Sequence, residues 1–366
     1  MSHIAGHISE LDFETYCDQS APVFVFGAAR SGTTLTYRVM DFHQAVFMMP
    51  RDTYFVPHYW NIRHQVPRKA LHKMLLWVGQ GPDLVEGSEC RKDLYQKLLR
   101  LMEDDDPRKI FSFVSYLSYM QQKVKKDTSV TWWAERTNSH SYAFETLKKW
   151  YPTCKFIFCI RDPRAVIASA LGAQKKNGTY PSSVSGYCLN AAISWAGRNR
   201  LIGQIQRQYP NDIFVSRYED LVSKPIEHIN HLWQFLDLPV LNETDLRLKI
   251  DDLGPIYQSK TGVNRVSGID TRSIERWRDL LSDEQVAIIE DTTWQVAKNL
   301  GYILSEARTL SKIYLHRFKG EHRLYYIKRL MKLLAYKTAP ELFFAFQKKL
   351  TACRLWFGKT TNLFRV

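Results

Sequence analysis

The sequence predicts an α/β fold, with a three-layer P-loop-type parallel sheet flanked by helices. Five short apolar runs along the chain are rich in β-branched and aromatic residues, as buried strands are. Helical patterns lie between most of these runs, which is typical of parallel strands with helices on both faces. The first run leads through a turn with two glycines into a helix, an order typical of sheets that bind phosphate at their strand ends.

These patterns place the individual elements. The predicted strands are Val23–Phe26, Val46–Met49, Val130–Trp133, Phe156–Ile160 and Ile213–Ser216. The first predicted helix begins at Thr33, and the others cover Ser141–Tyr151, Arg164–Leu171, Leu189–Tyr209 and 225–238. Between the second and third strands, residues 57–128 carry charged and apolar positions at helical spacing, which predicts a helical insertion.

Composition excludes several classes of protein. Of the 366 residues 45% are hydrophobic and 13% aromatic, enough for a substantial core and against global disorder. The six cysteines form no CxxC pair and no cluster with histidines, so we expect free thiols and no metal site. The chain starts without a signal-peptide pattern and has no apolar run near the ~18 residues that span a bilayer, so we expect a cytoplasmic protein.

The net charge of +14 is concentrated at the carboxyl end. Residues 306–366 hold 14 Lys and Arg against 3 Asp and Glu, so this segment carries +11 of the total. The basic character therefore does not predict a nucleic-acid binder. Apolar stripes with Phe and Trp predict basic amphipathic helices. Such helices contact a membrane surface, pack on the protein itself, form an oligomer contact or bind an anionic polymer. We expect a main domain over 1–305 and a helical extension over 306–366.

The turn after the first strand has the spacing of a nucleotide-binding loop, G-x-x-x-x-G. Nucleoside triphosphatases and kinases continue with Lys-Ser/Thr, whereas this chain has two threonines there and an arginine inside the loop. We therefore expect the loop to bind a phosphate anhydride other than magnesium-ATP. The alternative is a glycine-containing turn of no special function. The candidate binding residues are Gly27, Arg30, Ser31, Gly32, Thr33 and Thr34.

The stretch ARSGTTL resembles the 5′-phosphosulfate loop of sulfotransferases that use 3′-phosphoadenosine 5′-phosphosulfate (PAPS). It is most similar to the branch with Arg before Ser-Gly-Thr-Thr, which includes tyrosylprotein sulfotransferases and many bacterial carbohydrate and lipid sulfotransferases. Four or five motifs in the family's order extend the resemblance over residues 22–303. It implies PAPS as co-substrate, adenosine 3′,5′-bisphosphate as product and no metal.

The segment CIRDPRAVIASAL resembles the family's second PAPS motif. Arg161 follows a predicted strand and Ser169 lies eight residues later in the next helix, so a guanidinium and a hydroxyl would bind the 3′-phosphate. Arg164 either assists this binding or lies on the surface, and of the two we expect the surface. RYEDLVSKP resembles a region of the family that would place Tyr218 near the adenine. The segment before Trp277 resembles a loop that in relatives adds a cation to the 3′-phosphate. Arg276 matches that cation best, although Lys260, Arg265 and Arg272 remain alternatives.

Two further segments resemble the family's catalytic regions. PRDTYF places Asp52 on the acidic residue that takes the acceptor's proton and Arg51 on the basic residue before it. Helix capping by Asp52 is the alternative, and Glu135 is the reserve base. WWAERTNSH places Arg136 on the lysine that contacts the sulfuryl group. Arg136 would stabilise charge rather than donate a proton, and a surface ion pair with Glu135 or with an aspartate is its alternative role.

Together these matches predict an enzyme that moves a sulfuryl group from PAPS to a hydroxyl of a carbohydrate, lipid or small metabolite. Asp52 would be the general base, and Arg30 and Arg136 would stabilise the transferred and leaving groups. Residues 57–128 would line the acceptor site. The alternatives are a P-loop phosphotransferase and a non-catalytic nucleotide-binding protein that associates with membranes.

Overall fold

A computed structural model describes residues 15–18, 20–49, 52, 108–109, 111–112, 115–116, 130–251, 253 and 269–305. The predicted extension over 306–366 lies outside these residues. So do Arg51, Lys260, Arg265 and most of the predicted insertion over 57–128. Within the described part of the chain, no helix is both long and apolar enough to cross a membrane.

The predicted parallel sheet with flanking helices is confirmed. The strands are β1 (Ala21–Gly27), β2 (Val46–Met48), β3 (Trp132–Glu135), β4 (Lys155–Ile160) and β5 (Ile213–Arg217), in the order β2-β3-β1-β4-β5. Both β1 and β2 pair with β3 in parallel, and Val23 of β1 lies opposite Ala134 of β3. All five predicted strands are present, and only β3 is displaced, by two residues.

The helices follow the predicted order, with different bounds. They are α1 (Thr33–Met40), α2 (Phe144–Trp150), α3 (Pro163–Lys176), α4 (Val184–Gln208), α5 (Tyr218–Ser223), α6 (Pro225–Phe235), α7 (Glu243–Asp251), α8 (Trp277–Leu280) and α9 (Asp283–Asn299). Short 3₁₀ segments cover Asn138–Ala143 and Thr271–Ser273. The predicted helix over Ser141–Tyr151 is therefore partly a 3₁₀ segment.

Local sequence explains where the helices begin. The carboxylate of Asp162 accepts a hydrogen bond from the backbone N–H of Arg164, and Pro163 occupies the first position of α3, where a missing N–H costs nothing. Helix α9 begins with a capping box, in which Ser282 and Gln285 exchange side-chain and backbone hydrogen bonds. The Asp162 cap fixes the start of α3 directly after β4, where Arg161 lies.

The described residues form two compact units, each with its own core. The first consists of Met1–Phe26 and Tyr37–Phe156. Its core is aromatic, with the ring of Phe24 6.0 Å from that of Trp133 and 6.2 Å from that of Phe156 between centroids. Such contacts add to the free energy gained from burial.

The second unit consists of Gly27–Thr36 and Ile157–Val366. Its core is a cluster of buried aliphatic and aromatic side chains from α3, α4 and α9, including Ile167, Trp195 and Ile288. Each such side chain contributes about 1.5–3 kcal/mol through burial. This packing holds α3, which carries Ser169 and Arg164, firmly in the unit.

Candidate functional site

The loop after β1 is shaped by two glycines with different constraints. A Cβ on Gly27 would lie 2.8 Å from the carbonyl oxygen of Cys159 and 2.8 Å from Cγ2 of Thr33, so no larger side chain fits. Gly32 has φ +91°, and a Cβ there would overlap the Tyr218 ring. The loop therefore requires glycine at both positions. Gly27 is needed for space, and Gly32 is needed for its backbone conformation as well as for space.

Arg30 connects the loop to the second predicted PAPS segment. Its backbone has φ +74°, unusual for a residue with a side chain. Its Nε donates a hydrogen bond of 2.9 Å to Oγ of Ser169, and its carbonyl oxygen accepts one of 3.2 Å from Nη1 of Arg161. Residues that the sequence assigns to the two ends of one nucleotide, more than 130 positions apart, are thus in direct contact.

Arg161 is held from several directions. Its side chain is buried, its Nη2 donates to the carbonyl oxygen of Ser273 at 2.7 Å, and its guanidinium lies 4.0 Å from the centre of the Tyr218 ring. The Tyr218 hydroxyl is in turn 2.8 Å from Oγ of Ser273. Burial lowers the pKa of Arg161, although Tyr218 and Glu219 oppose that shift. Sequence reasoning missed Ser273, because a backbone carbonyl gives no sequence signal.

Two buried polar atoms at this place lack a protein partner in the described part of the chain. They are Oγ of Ser31, in the loop, and Nε of Arg161. Buried donors are nearly always satisfied, so such atoms need an explanation. Both can donate a hydrogen bond to an anion, and the amides at the start of α1 favour an anion as well. The residues present therefore fit a phosphorylated ligand.

The remaining predicted nucleotide residues have these positions. Thr33 is buried against Gly27, and Thr34 lies beside it in the first turn of α1. Arg276 donates to Oδ2 of Asp270 at 2.9 Å, and Arg272, one of its alternatives, donates to Oδ1 of the same carboxylate at 3.0 Å. A carboxylate thus holds both arginines next to the Ser273 segment.

The two predicted catalytic residues of the first unit contact each other. Nε of Arg136, just after β3, lies 3.1 Å from Oδ1 of Asp52, and both side chains are partly exposed. The Arg136 guanidinium also lies 5.0 Å from the centre of the Tyr37 ring, and the Tyr37 hydroxyl donates to the carbonyl oxygen of Met49. Burial raises the pKa of Asp52, although Arg136 opposes that shift.

Glu135 has a different environment. It is fully buried, its Oε2 lies 2.9 Å from Nδ1 of His140, and it accepts hydrogen bonds from the backbone N–H and the hydroxyl of Thr137. Of the two predicted alternatives for Arg136, the surface pair with Glu135 is wrong, because Glu135 is buried. The other, a pair with an aspartate, is present as the partly exposed contact with Asp52. The alternative predicted for Asp52, a helix that it caps, lies outside the described residues.

The prediction that Arg164 lies on the surface is wrong. Its side chain is only 11% exposed and is paired with Asp162 at 2.6 Å and with Glu290 at 2.7 Å. Sequence reasoning could not find this contact, because Glu290 lies 126 positions away. Among the described residues, no group of three or more His, Cys, Asp or Glu side chains could hold a metal ion.

Comparisons with known proteins match these observations. The model of the Sulfotransferase family matches residues 22–243. A putative protein-tyrosine sulfotransferase of Caenorhabditis elegans is 30% identical over 172 residues, which are 46% of this chain and 62% of that protein. Another, of Caenorhabditis briggsae, is 24% identical over 292 residues, which are 78% of this chain and 90% of that protein.

A solved structure supports the fold. The sulfotransferase domain from the curacin biosynthetic pathway is similar with a TM-score of 0.51 at 19% identity, over 78% of this chain and 99% of that domain. At this identity the likeness concerns the fold alone. The family model, however, covers more than half of the residues and includes the loop, Arg161 and Ser169. The chain therefore belongs to the Sulfotransferase family and is an enzyme of this class.

Proposed function

We propose that this enzyme transfers a sulfuryl group from PAPS to a hydroxyl acceptor. The observation that carries the proposal is the contact between the glycine loop and the Arg161–Ser169 pair, with two buried donors that have no protein partner among the described residues. A nucleotide phosphorylated at both the 3′ and 5′ positions needs two anion sites that are one ribose apart. The loop and the Arg161–Ser169 pair are two such sites in contact.

The donor would be held by the second unit. The loop amides and the Ser31 hydroxyl would bind the 5′-phosphosulfate, and Arg161 with Ser169 would bind the 3′-phosphate. Tyr218, which already stacks on Arg161, would contact the adenosine. Arg276 would add a cation once it leaves Asp270. Thr33 follows the loop at the position where a triphosphatase has lysine, which argues against magnesium-ATP as the ligand.

Asp52 and Arg136 would act on the acceptor. Asp52 takes the hydroxyl proton while the acceptor oxygen forms its bond to sulfur and the bond from sulfur to the phosphate oxygen breaks. The products are the sulfate ester and adenosine 3′,5′-bisphosphate. Arg30 and Arg136 balance the charge on the sulfuryl group and on the departing oxygen.

Two observations favour Asp52 over Glu135 as the base. Glu135 is sealed from solvent and its oxygens are engaged by His140 and Thr137, so it has no access to an acceptor. Asp52 is partly exposed, and its raised pKa brings it closer to that of an effective base near neutral pH.

Relatives of known name indicate which acceptor hydroxyl to test first. The two relatives described above are named as protein-tyrosine sulfotransferases, so a tyrosyl hydroxyl is the first acceptor to test. Carbohydrate, lipid and small-metabolite hydroxyls complete the panel. Transfer is followed as acceptor-dependent release of adenosine 3′,5′-bisphosphate from PAPS.

The deciding experiment is ligand binding measured by thermal shift and calorimetry. We expect adenosine 3′,5′-bisphosphate to raise the melting temperature without magnesium and far more than ATP, ADP or AMP. At 100 times its dissociation constant a ligand adds about 2.7 kcal/mol to the unfolding free energy. Arg161→Met should remove most of this preference, and Asp52→Asn should keep it while abolishing turnover. Stabilisation by magnesium-ATP alone, or loss of binding in Asp52→Asn but not in Arg161→Met, would contradict the proposal.

A further inference from the structure

Four charged side chains lie together behind Arg161 and have no part in the function proposed above. We call them the Arg164 cluster: Asp162, Arg164, Glu219 and Glu290. The side chains of Asp162 and Arg164 are each 11% exposed and that of Glu290 is 4% exposed. Such a concentration of buried charge is costly unless every group is paired.

Arg164 is the centre of this cluster. Its Nε and Nη2 donate to Oδ1 and Oδ2 of Asp162 at 3.0 and 2.6 Å, so the two side chains form a bidentate pair. Its Nη1 donates to Oε1 of Glu290 at 2.7 Å, and its guanidinium lies 4.2 Å from the centre of the Trp277 ring. Only a planar guanidinium can bind two carboxylates and a ring in these directions, so lysine is not an equivalent.

The peptide bond that follows Arg161 is held at both of its polar groups, by Glu219 of the cluster and by Trp195 outside it. The backbone N–H of Asp162 donates to Oε1 of Glu219 at 2.9 Å, and the carbonyl oxygen of Arg161 accepts from Nε1 of Trp195 at 3.1 Å. The Asp162 carboxylate, fixed by Arg164, also caps helix α3. The backbone of Arg161 is therefore fixed at the point where β4 ends and α3 begins.

The charges of the cluster depend on one another. Burial opposes ionisation of Arg164, but the hydrogen bonds and charges of Asp162 and Glu290 raise its pKa. Burial raises the pKa of Glu219, whose other oxygen accepts a hydrogen bond from the Tyr302 hydroxyl at 3.1 Å. Ser305 also donates to Glu290, so the segment after α9 takes part as well. Loss of one partner would leave an uncompensated buried charge and shift the others.

Arg161 has little freedom to point elsewhere. Two of its nitrogens are used by the carbonyl oxygens of Arg30 and Ser273, and the one with no partner in the described part of the chain is Nε. A rotation of the backbone at Arg161 would redirect this N–H away from a ligand oxygen. Misplacement by about 1 Å can cost two orders of magnitude in catalysis or binding that depends on such geometry.

We propose that Arg164, acting with Asp162 and Glu290, is a positioning residue that sets the direction of the Arg161 guanidinium and thereby the selectivity for a nucleotide with a 3′-phosphate over one with a free 3′-hydroxyl. The proposal rests on the proposed function, because it assumes that Arg161 binds the 3′-phosphate. Arg164 itself touches no substrate. If the cluster served only folding, its loss would lower stability and leave ligand selectivity unchanged.

The test compares Arg164→Met with a matched control, Arg278→Met. Arg278 also lies over the Trp277 ring, at 4.6 Å, and also pairs with an acid, Glu275, but it is exposed and does not contact Asp162. Calorimetry gives the dissociation constants of adenosine 3′,5′-bisphosphate and of AMP for each purified full-length variant. We expect Arg164→Met to weaken bisphosphate binding about tenfold or more, AMP binding less than about twofold, and Arg278→Met to change neither.

Two milder variants keep the test decisive if Arg164→Met does not fold. Glu290→Gln removes one charge from the cluster and should lower the preference for the bisphosphate over AMP about threefold. Arg164→Lys should retain little of the wild-type preference, because an ammonium does not replace the planar guanidinium. The positioning role would be overturned if binding of the bisphosphate and of AMP weakened equally. An unchanged preference for the bisphosphate over AMP in Glu290→Gln and Arg164→Lys would overturn it as well. A wild-type chain with no preference for the bisphosphate would refute the proposed function, and this proposal with it.

Discussion

Replacing Gly32 with alanine should damage both folding and nucleotide binding, and the structure separates the two causes. Gly32 and Gly178 both have positive φ, +91° and +66°, but a Cβ on Gly32 overlaps the Tyr218 ring, whereas one on Gly178 meets nothing within 4 Å. The left-handed backbone costs alanine about 1–2 kcal/mol at either position. Reduced freedom of the unfolded chain offsets about 0.4–1 kcal/mol of it. Gly178→Ala therefore isolates the backbone cost.

The overlap with Tyr218 adds a second cost at Gly32 alone. Overpacking of a fitted contact destabilises proteins by about 1–3 kcal/mol, so Gly32→Ala should lose that much more unfolding free energy than Gly178→Ala. Relief of the overlap moves Tyr218 away from the Arg161 guanidinium, which it now contacts at 4.0 Å. Such a contact is worth about 0.5–2 kcal/mol, so the dissociation constant of adenosine 3′,5′-bisphosphate should rise about 2- to 30-fold.

The assays are urea unfolding and calorimetry on the two single variants, on Tyr218→Ala and on the double variant Gly32→Ala/Tyr218→Ala. In the double variant the overlap is absent, so the added cost of Gly32→Ala should fall to that of Gly178→Ala. Equal losses of stability for Gly32→Ala and Gly178→Ala, with bisphosphate binding unchanged in both, would refute the reasoning. The Tyr218 ring would then not constrain the loop.

Two further predictions concern protonation. Burial raises the pKa of Asp52 while Arg136 at 3.1 Å lowers it, so Arg136→Met should raise that pKa further. Carboxyl NMR, with Asp52→Asn for assignment, would measure the change, and an unmoved titration would mean that the pair does not persist in solution. Burial lowers the pKa of His228, which is hydrogen-bonded to Ser216 at 2.9 Å, to about 4. The native chain then binds fewer protons than the unfolded chain between about pH 4 and pH 6.5, so unfolding free energy is lost as pH falls through that window, about 3 kcal/mol in all. His228→Gln should flatten this part of the stability profile in urea titrations, and an identical slope in both chains would disprove the assignment.

Much of the fold followed from local patterns. Strands such as β1 and β4 are apolar runs, and the spacing of its two glycines predicts the glycine loop. The resemblance of the Arg161–Ser169 segment to a sulfotransferase motif associated it with the loop, although Arg161 and Arg30 are 131 positions apart. These features are local in sequence, because strand alternation, helix periodicity and turn chemistry act over a few neighbouring residues.

The failures involve partners that are distant in sequence. Arg164 was expected at the surface because its partner Glu290 belongs to a different helix. Glu135 was expected in a surface pair with Arg136 because its burial depends on the packing of β3. The Asp52–Arg136 pair joins residues 84 positions apart. Whether a charged side chain is exposed, paired or sealed depends on which elements pack over it, and no local pattern encodes that.

The sequence by itself determined the order of strands and helices, the glycine loop without a kinase lysine, and the residues assigned to the two ends of a doubly phosphorylated nucleotide. Only the tertiary structure decided that Arg30 reaches Ser169 and that Arg164 is enclosed by two carboxylates. It alone also decided that Arg161 is buried with an Nε–H that has no partner in the part of the chain described. The physical reason is range. Backbone conformation is set by neighbours along the chain, whereas desolvation and charge pairing are set by neighbours in space, which the chain acquires only on folding.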